Sequence, residues 1–321
     1  MKALWFEDGA AQLRDDVTLA PGPFDETRIE VRVAGVCATD LALRRGYLGF
    51  RGVPGHEFVG MALDGPLIGQ RVVGGINASC GRCADCTEGD GHHCLTRTVL
   101  GILGRPGVFA EEVLLPTRNL IAVPDTVPDE SAVFAEPLAA AFEIPNQVAL
   151  APGMCGLVAG DGRLGLFCAQ VLALYGVDVT LAGRHPERAR LLPSSIAHVT
   201  GLLETEAADR PFDIAVEATG HPDALARVLT HVRARGTVVL KTTSEQPATL
   251  DLAPIVVDEI TLVGSRCGPF APALAALADG RIDPRGMIDA RYPLDDAVTA
   301  LDHAERSGVL KVLIEMGRGD F

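Results

Sequence analysis

The sequence predicts an α/β protein in which a doubly wound parallel sheet is inserted into a β-rich domain. Three observations predict it. Strand-like and helix-like segments alternate from about Pro152 onward, the rhythm of a parallel sheet covered by helices. The segment before it is dense in short strands broken by Gly and Pro, and the chain after about Gly268 turns helical before closing on a strand. At 321 residues the chain exceeds one typical domain. The expected boundaries are 1–148 with 268–321 for the β-rich domain and 149–267 for the inserted one.

In the first part, Thr27–Ala34 alternates, with Ile29, Val31 and Val33 on one face of a strand. Phe58–Leu63 and Arg71–Gly74 continue the pattern, and Val108–Pro116 offers Phe109, Val113 and Leu115 to a core. In the insert, Gly156–Ala159 reads as a buried strand, Arg163–Leu174 as a helix and Asp178–Leu181 as a strand. Pro186–Leu192 and Pro222–Val232 follow as helices, with Phe212–Glu217, Thr237–Leu240 and Ile260–Val263 as strands. Beyond Gly268, Pro272–Ala278 and Leu294–Ser307 are expected helices and Lys311–Glu315 a closing strand.

Charge narrows the function classes. The net charge is −14, which disfavours a phosphate backbone or an anionic membrane surface as partner. Glu7 and Asp8 interrupt the N-terminal apolar stretch before a signal h-region could form, and no apolar run is long enough to span a bilayer. The expectation is a cytoplasmic protein acting on a small molecule, with no nucleic-acid or membrane partner.

Eight cysteines in such a protein call for something other than disulfides. Cys80, Cys83, Cys86 and Cys94 fall within a short Gly-rich segment, and four thiolates so spaced can enclose a tetrahedral zinc with no open position. Such a site holds a loop together and does no chemistry. An iron–sulfur cluster is the competing occupant. His92 and His93 nearby read as exposed loop residues.

A second group carries the chemistry. Cys37 follows directly on a predicted strand, in Gly35-Val36-Cys37-Ala38-Thr39-Asp40, and His56 lies in Gly55-His56-Glu57-Phe58. A thiolate and an imidazole are two of the three protein ligands of a catalytic zinc, and Asp40 could fix the tautomer of His56. Gly160-Asp161-Gly162-Arg163-Leu164-Gly165 sits between a predicted strand and helix, where glycines let the backbone approach a pyrophosphate.

Together these motifs resemble the zinc-containing medium-chain alcohol dehydrogenase family over essentially the whole chain. The resemblance implies a Rossmann domain joined to a GroES-like catalytic domain, with one catalytic and one structural zinc. It gives zinc-ligand roles to Cys37 and His56 and a proton-relay role to Thr39. Phe134-Ala135-Glu136-Pro137-Leu138 looks like the Glu-Pro-Leu of the polyol-dehydrogenase branch, which makes Glu136 the third ligand and Glu57 an exchanging or alternative one. Many relatives carry a His two residues after the Asp; here that residue is Ala42.

The end of the second strand of the insert bears on coenzyme. An NAD site usually places an acid there to bind both ribose hydroxyls. The sequence has Gly183 there, followed by Arg184 and His185, with Arg188 a turn further on. A missing carboxylate and a neighbouring guanidinium suit a 2′-phosphate, so NADP(H) is expected over NAD(H).

The implied activity is hydride transfer between NADP(H), or NAD(H), and an alcohol or polyol or its carbonyl counterpart. Two rivals remain: a zinc-free quinone- or enoyl-type reductase on the same fold, and a non-catalytic zinc-binding scaffold. Tyr47, Phe50, Arg51 and Phe270 are candidate substrate-cleft residues. The family resemblance also implies a homodimer or homotetramer, with Ile260–Val263 as an edge that could extend the sheet.

Overall fold

The computed structural model describes residues 1–317 apart from 21, 23, 90, 205–210, 244–246 and 248. It forms two compact units: Met1–Glu136 with Ala273–Phe321, and Pro137–Pro272. These divisions fall at 136/137 and 272/273, against the expected 148/149 and 267/268. Helix Ala135–Gln147, for which the sequence suggested no element, accounts for most of the difference. Its Ala140 carbonyl accepts from Lys241 Nζ, and Gln147 Nε2 donates to the Gly264 carbonyl, tying the helix to the second unit.

The first unit is built on Glu26–Gly35, whose alternation buries Ile29, Val31 and Val33. This strand pairs antiparallel with Glu57–Ala62, Glu112–Pro116 and Lys311–Glu315. Lys311–Glu315 in turn pairs parallel with Ile288–Pro293, so the end of the chain lies within the sheet begun by its start. Leu4, Phe6, Ile29, Phe58, Phe109 and Leu115 fill the core against it, each fully buried ring or branched chain stabilising by about 1.5–3 kcal/mol.

Val108–Glu111, expected as strand, is not one; only Glu112–Pro116 is. Its backbone groups are committed elsewhere. The N–H groups of Val108 and Phe109 donate to the Gly55 and Pro54 carbonyls, and the Phe109 carbonyl accepts from Leu4. These bonds fix the segment that carries His56. A small separate sheet pairs Asn77–Ala78 with Thr98–Leu100, closing the base of the four-cysteine loop.

The second unit is the expected doubly wound sheet. Among the described residues it has six strands, all parallel, in the spatial order Ala197–Thr200, Asp178–Gly183, Cys155–Ala159, Phe212–Glu217, Val232–Leu240 and Thr261–Gly264. The first strand in the chain, Cys155–Ala159, lies centrally, and the order reverses between it and Phe212–Glu217. Ligands bind at the carboxyl ends of such a switch point.

Three helices differ from expectation. Leu294–Ser307 is a 3₁₀ turn, Leu294–Asp296, followed by an α-helix over Ala297–Ala304 only. Pro186–Leu191 is a 3₁₀ helix. Pro222–Val232 is helical only over Ala224–Leu229, because Val232 is buried as the first residue of a strand and pairs with Phe212. Among the described residues no helix is long and apolar enough to cross a membrane.

Candidate functional site

The strand Glu26–Gly35 ends where helix Ala38–Arg44 begins, and Cys37 is the residue between them that caps the helix. Asp40, wholly buried, holds this junction: its Oδ2 accepts from the Cys37 N–H at 2.8 Å and its Oδ1 from the Gly55 N–H at 3.2 Å. One carboxylate thus joins the two segments that bring Cys37 and His56 together. His56 Nδ1 stands 3.3 Å from Asp40 Oδ1, as expected of a carboxylate that orients the ring, but has no aligned hydrogen bond.

Ligand atoms of Cys37, His56 and Glu57 lie within 4.8 Å of one another. A zinc with bonds of about 2.0–2.3 Å needs ligands separated by about 3.3–3.8 Å, so these three fit an ion with a small contraction. Burial alone would lower the His56 pKa, but the charges of Asp40 and Cys37 outweigh it and raise the pKa well above its ordinary value. That is the field of a site built for a cation. Thr39 Oγ1 is 3.8 Å from Cys37 Sγ.

Glu136, expected as the third ligand, is not in this group of mutually close donors. It stands in the first turn of helix Ala135–Gln147, whereas Glu57 follows His56 directly in the chain. Glu57 is itself paired with Lys311, a fully buried lysine whose ammonium also approaches the Val36 carbonyl and the ring of Phe134. The sequence did not single out Lys311. Its signal was a lone cation in the apolar run Val309-Leu310-Lys311-Val312-Leu313-Ile314.

The four loop cysteines also converge, their sulfurs within 4.8 Å of one another. Cys83 and Cys86 sulfurs are 3.4 Å apart, and those of Cys80 and Cys86 3.9 Å, the spacing that a tetrahedral tetrathiolate zinc requires. Backbone N–H groups of Arg82 and Cys83 lower the Cys80 thiol to about 6, which favours the thiolate. His92 is not in the group; it lies 3.3 Å from Asn77 Nδ2 at the base of the loop.

Of the proposed cleft residues, Phe50 packs edge-to-face on Phe6 and Arg51 pairs with Glu7. Tyr47 is exposed, and Phe270 opens helix Phe270–Ala278.

In the second unit the glycine loop joins Cys155–Ala159 to helix Arg163–Leu174, which Gly162 caps. Arg163 and Leu164 form its first turn. A Cβ on Gly165 would come within 1.8 Å of the Gly160 carbonyl oxygen, so glycine is needed there for the helix to approach the turn. Asp161, between the first two glycines, is buried. His185 and Arg188, expected to face a 2′-phosphate, are turned onto it: His185 Nδ1 at 3.0 Å and Arg188 Nη1 at 3.3 Å from its Oδ1. The Arg184 side chain is exposed. At the carboxyl end of the next strand, Glu217 Oε1 accepts from the N–H and hydroxyl of Thr219. Buried Lys241 donates to Ser265 Oγ at 2.7 Å. Neither Asp161 nor Lys241 was singled out from sequence.

Comparison with known proteins matches residues 23–125 to the alcohol dehydrogenase GroES-like domain and residues 164–279 to the zinc-binding dehydrogenase domain. The L-threonine 3-dehydrogenase of Chelativorans sp. (strain BNC1) is 31% identical, over 86% of each chain. A protein described as a zinc-binding dehydrogenase from Sinorhizobium meliloti 1021, solved bound to NADP, superposes with a TM-score of 0.87 at 27% identity, covering 98% of this chain and 99% of its own. The short chain alcohol dehydrogenase (rspB) from Escherichia coli CFT073, complexed with NADH, gives 0.88 at 26% identity over the same shares.

Proposed function

Because this chain belongs to the zinc-containing medium-chain dehydrogenase/reductase family, we propose that it is a zinc-dependent dehydrogenase that interconverts an alcohol and its carbonyl, with NADP(H) preferred over NAD(H). The observation that carries this reading is the convergence of Cys37, His56 and Glu57 to within 4.8 Å. The relative from Chelativorans acts, by its name, on the hydroxyl-bearing L-threonine, and a secondary alcohol or polyol is the substrate class proposed here.

Zinc held by Cys37, His56 and Glu57 would supply Lewis-acid polarisation of the substrate oxygen, and a nicotinamide coenzyme held at the glycine loop would supply the hydride partner. The chain's own residues do the rest. Cys37 and Glu57 would bring two negative charges to a divalent ion, the second shared with the Lys311 ammonium, and His56 a neutral donor. Asp40 keeps the segments bearing them in register through the Cys37 and Gly55 N–H groups. Thr39 Oγ1 takes the proton of the substrate hydroxyl and passes it on. Ala42 has no proton to exchange, so no side chain at that position extends the relay beyond Thr39. Cys80, Cys83, Cys86 and Cys94 would hold a second zinc, which would brace their loop.

Preference for NADP(H) is supported by the exposed Arg184 guanidinium and by Gly183, which directs no acid of its own at the ribose; the neighbouring Asp161 carboxylate is engaged by His185 and Arg188. The two solved relatives divide on this point, one with NADP and one with NADH. Alcohols and ketones assayed with each coenzyme, followed by nicotinamide absorbance, test the whole reading. Reduction of a carbonyl by NADPH is expected, and turnover is expected to stop on chelation. Full turnover of the zinc-depleted protein would instead make it a zinc-free reductase, and no turnover with any pair would leave a scaffold.

We place the protein in the cytoplasm, where its cysteines stay reduced, and assign it a homo-oligomeric state. Thr261–Gly264 is an edge of the parallel sheet with no further partner among the described strands, and exposed Leu252, Val256 and Val257 precede it. Sedimentation should give a dimer or tetramer of the 33.7 kDa chain; a monomer at micromolar concentration refutes the assignment.

A further inference from the structure

The second strand of the nucleotide unit ends on Gly183, where a dinucleotide site ordinarily presents an acid. The space that acid would use is already filled. A Cβ built on Gly183 would lie 2.2 Å from Asp161 Oδ2 and 2.3 Å from its Cγ. The carboxylate that the strand end lacks therefore stands beside it, delivered from the middle of the glycine loop. An acid at 161 and a side chain at 183 exclude each other.

The relocated carboxylate is also differently employed. Its Oδ2 accepts from the backbone N–H of Arg184 at 3.0 Å and of His185 at 2.8 Å, and lies 3.3 Å from His198 Nε2. Its Oδ1 takes His185 Nδ1 and Arg188 Nη1, and Arg188 also donates to the Asp161 carbonyl at 2.8 Å. A carboxylate offers about four lone-pair sites, and five protein donors surround this one. Burial would raise its pKa, but the bonds from His185 and the charge of Arg188 lower it overall, so it is ionised and accepts only. Nothing is left for a ribose hydroxyl. Arg184, tethered through its N–H, keeps an exposed guanidinium at the same turn.

We propose that Asp161 is the residue that sets coenzyme choice, acting as a positioning residue. By occupying the strand-end carboxylate's place and spending its acceptors on the protein, it denies the 2′- and 3′-hydroxyls of NAD(H) their partner. By holding the 184–188 turn, it presents Arg184 to a ribose 2′-phosphate. This rests on the reading that the glycine loop binds a nicotinamide dinucleotide, and it assigns selectivity to a residue of the loop itself.

Four full-length, zinc-loaded proteins test it: wild type, Asp161→Gly, Gly183→Asp, and the double variant that moves the acid back to the strand. NADPH and NADH are the probes, with dissociation constants from nicotinamide fluorescence, KM and kcat from turnover, and the thermal midpoint. Gly183→Asp alone is expected to lower the midpoint and weaken both coenzymes, because two carboxylates compete for one space. Asp161→Gly alone is expected to lose NADPH affinity without gaining NADH. The double variant should recover stability relative to Gly183→Asp and shift the NADPH-to-NADH KM ratio toward NADH by about tenfold or more. Gly183→Asp that is as stable as wild type, or a double variant with the wild-type ratio, overturns the proposal. A wild type that binds neither coenzyme overturns the dinucleotide reading itself, and the proposal with it.

Discussion

Replacing His56 with Ala is expected to lower kcat/KM about 1000-fold and to reduce bound zinc from about two per chain to about one. Under the proposed zinc mechanism the loss would be that of an ion worth several kcal/mol of charge stabilisation, while the four-cysteine loop would keep its own. The same measurement separates the two candidate carboxylates. Glu57 lies with Cys37 and His56 in the structure and Glu136 does not, so Glu57→Gln should release the catalytic zinc and Glu136→Gln should retain both equivalents. Elemental analysis of the purified variants reads this directly. Zinc lost from Glu136→Gln and kept by Glu57→Gln would restore the ligand set implied by family resemblance. His56→Ala with two zincs and wild-type rate would refute the site altogether.

Lys311→Met should destabilise the first unit by about 3–5 kcal/mol, the cost of leaving one member of a buried ion pair without its partner. Lys311 and Glu57 are both almost wholly inaccessible to solvent. Methionine fills much of the same volume but leaves the Glu57 carboxylate without the opposing charge. The urea midpoint of the zinc-depleted protein measures the effect apart from metal binding. Adding Glu57→Gln should recover part of the loss, since the second change removes the stranded charge. A Lys311→Met protein with an unchanged midpoint would mean that the pair contributes nothing to stability.

Much of this architecture was legible because periodicity and punctuation agreed. Arg163–Leu174, Phe212–Glu217 and Lys311–Glu315 have the bounds that the sequence suggests, each a buried element whose apolar pattern ends where Gly, Pro or a charge begins. Segments whose partners are distant were harder to read. Val108–Glu111 has the composition of a strand, but its backbone bonds go to the chain around Gly55. Ala3–Glu7 and Ala10–Arg14 form a hairpin across Asp8, at φ 51°, and Gly9, a turn the alternation alone does not announce.

The sites divide in the same way. Cys37, His56 and the four loop cysteines were identifiable because metal ligation needs particular atoms, and few other demands cluster such residues. Lys311 lies 254 positions from Glu57; only the folded sheet shows that a cation in an apolar strand answers a carboxylate near the start of the chain. Asp161 was hidden differently. Its neighbours drew attention as glycines, and Gly183 registered as a missing acid with no hint that the vacancy was filled from the side.

The strand Lys311–Glu315, paired between Glu26–Gly35 and Ile288–Pro293, has a consequence for biosynthesis. The nucleotide unit is contiguous in the chain and can fold as soon as it leaves the ribosome. The first unit is interrupted by it: the strand that pairs with Glu26–Gly35 and carries the counter-charge of Glu57 follows the nucleotide unit in the chain, so its sheet cannot be completed until that unit has been made. During that interval its early strands present an unfilled edge, the situation in which a nascent protein most depends on a chaperone.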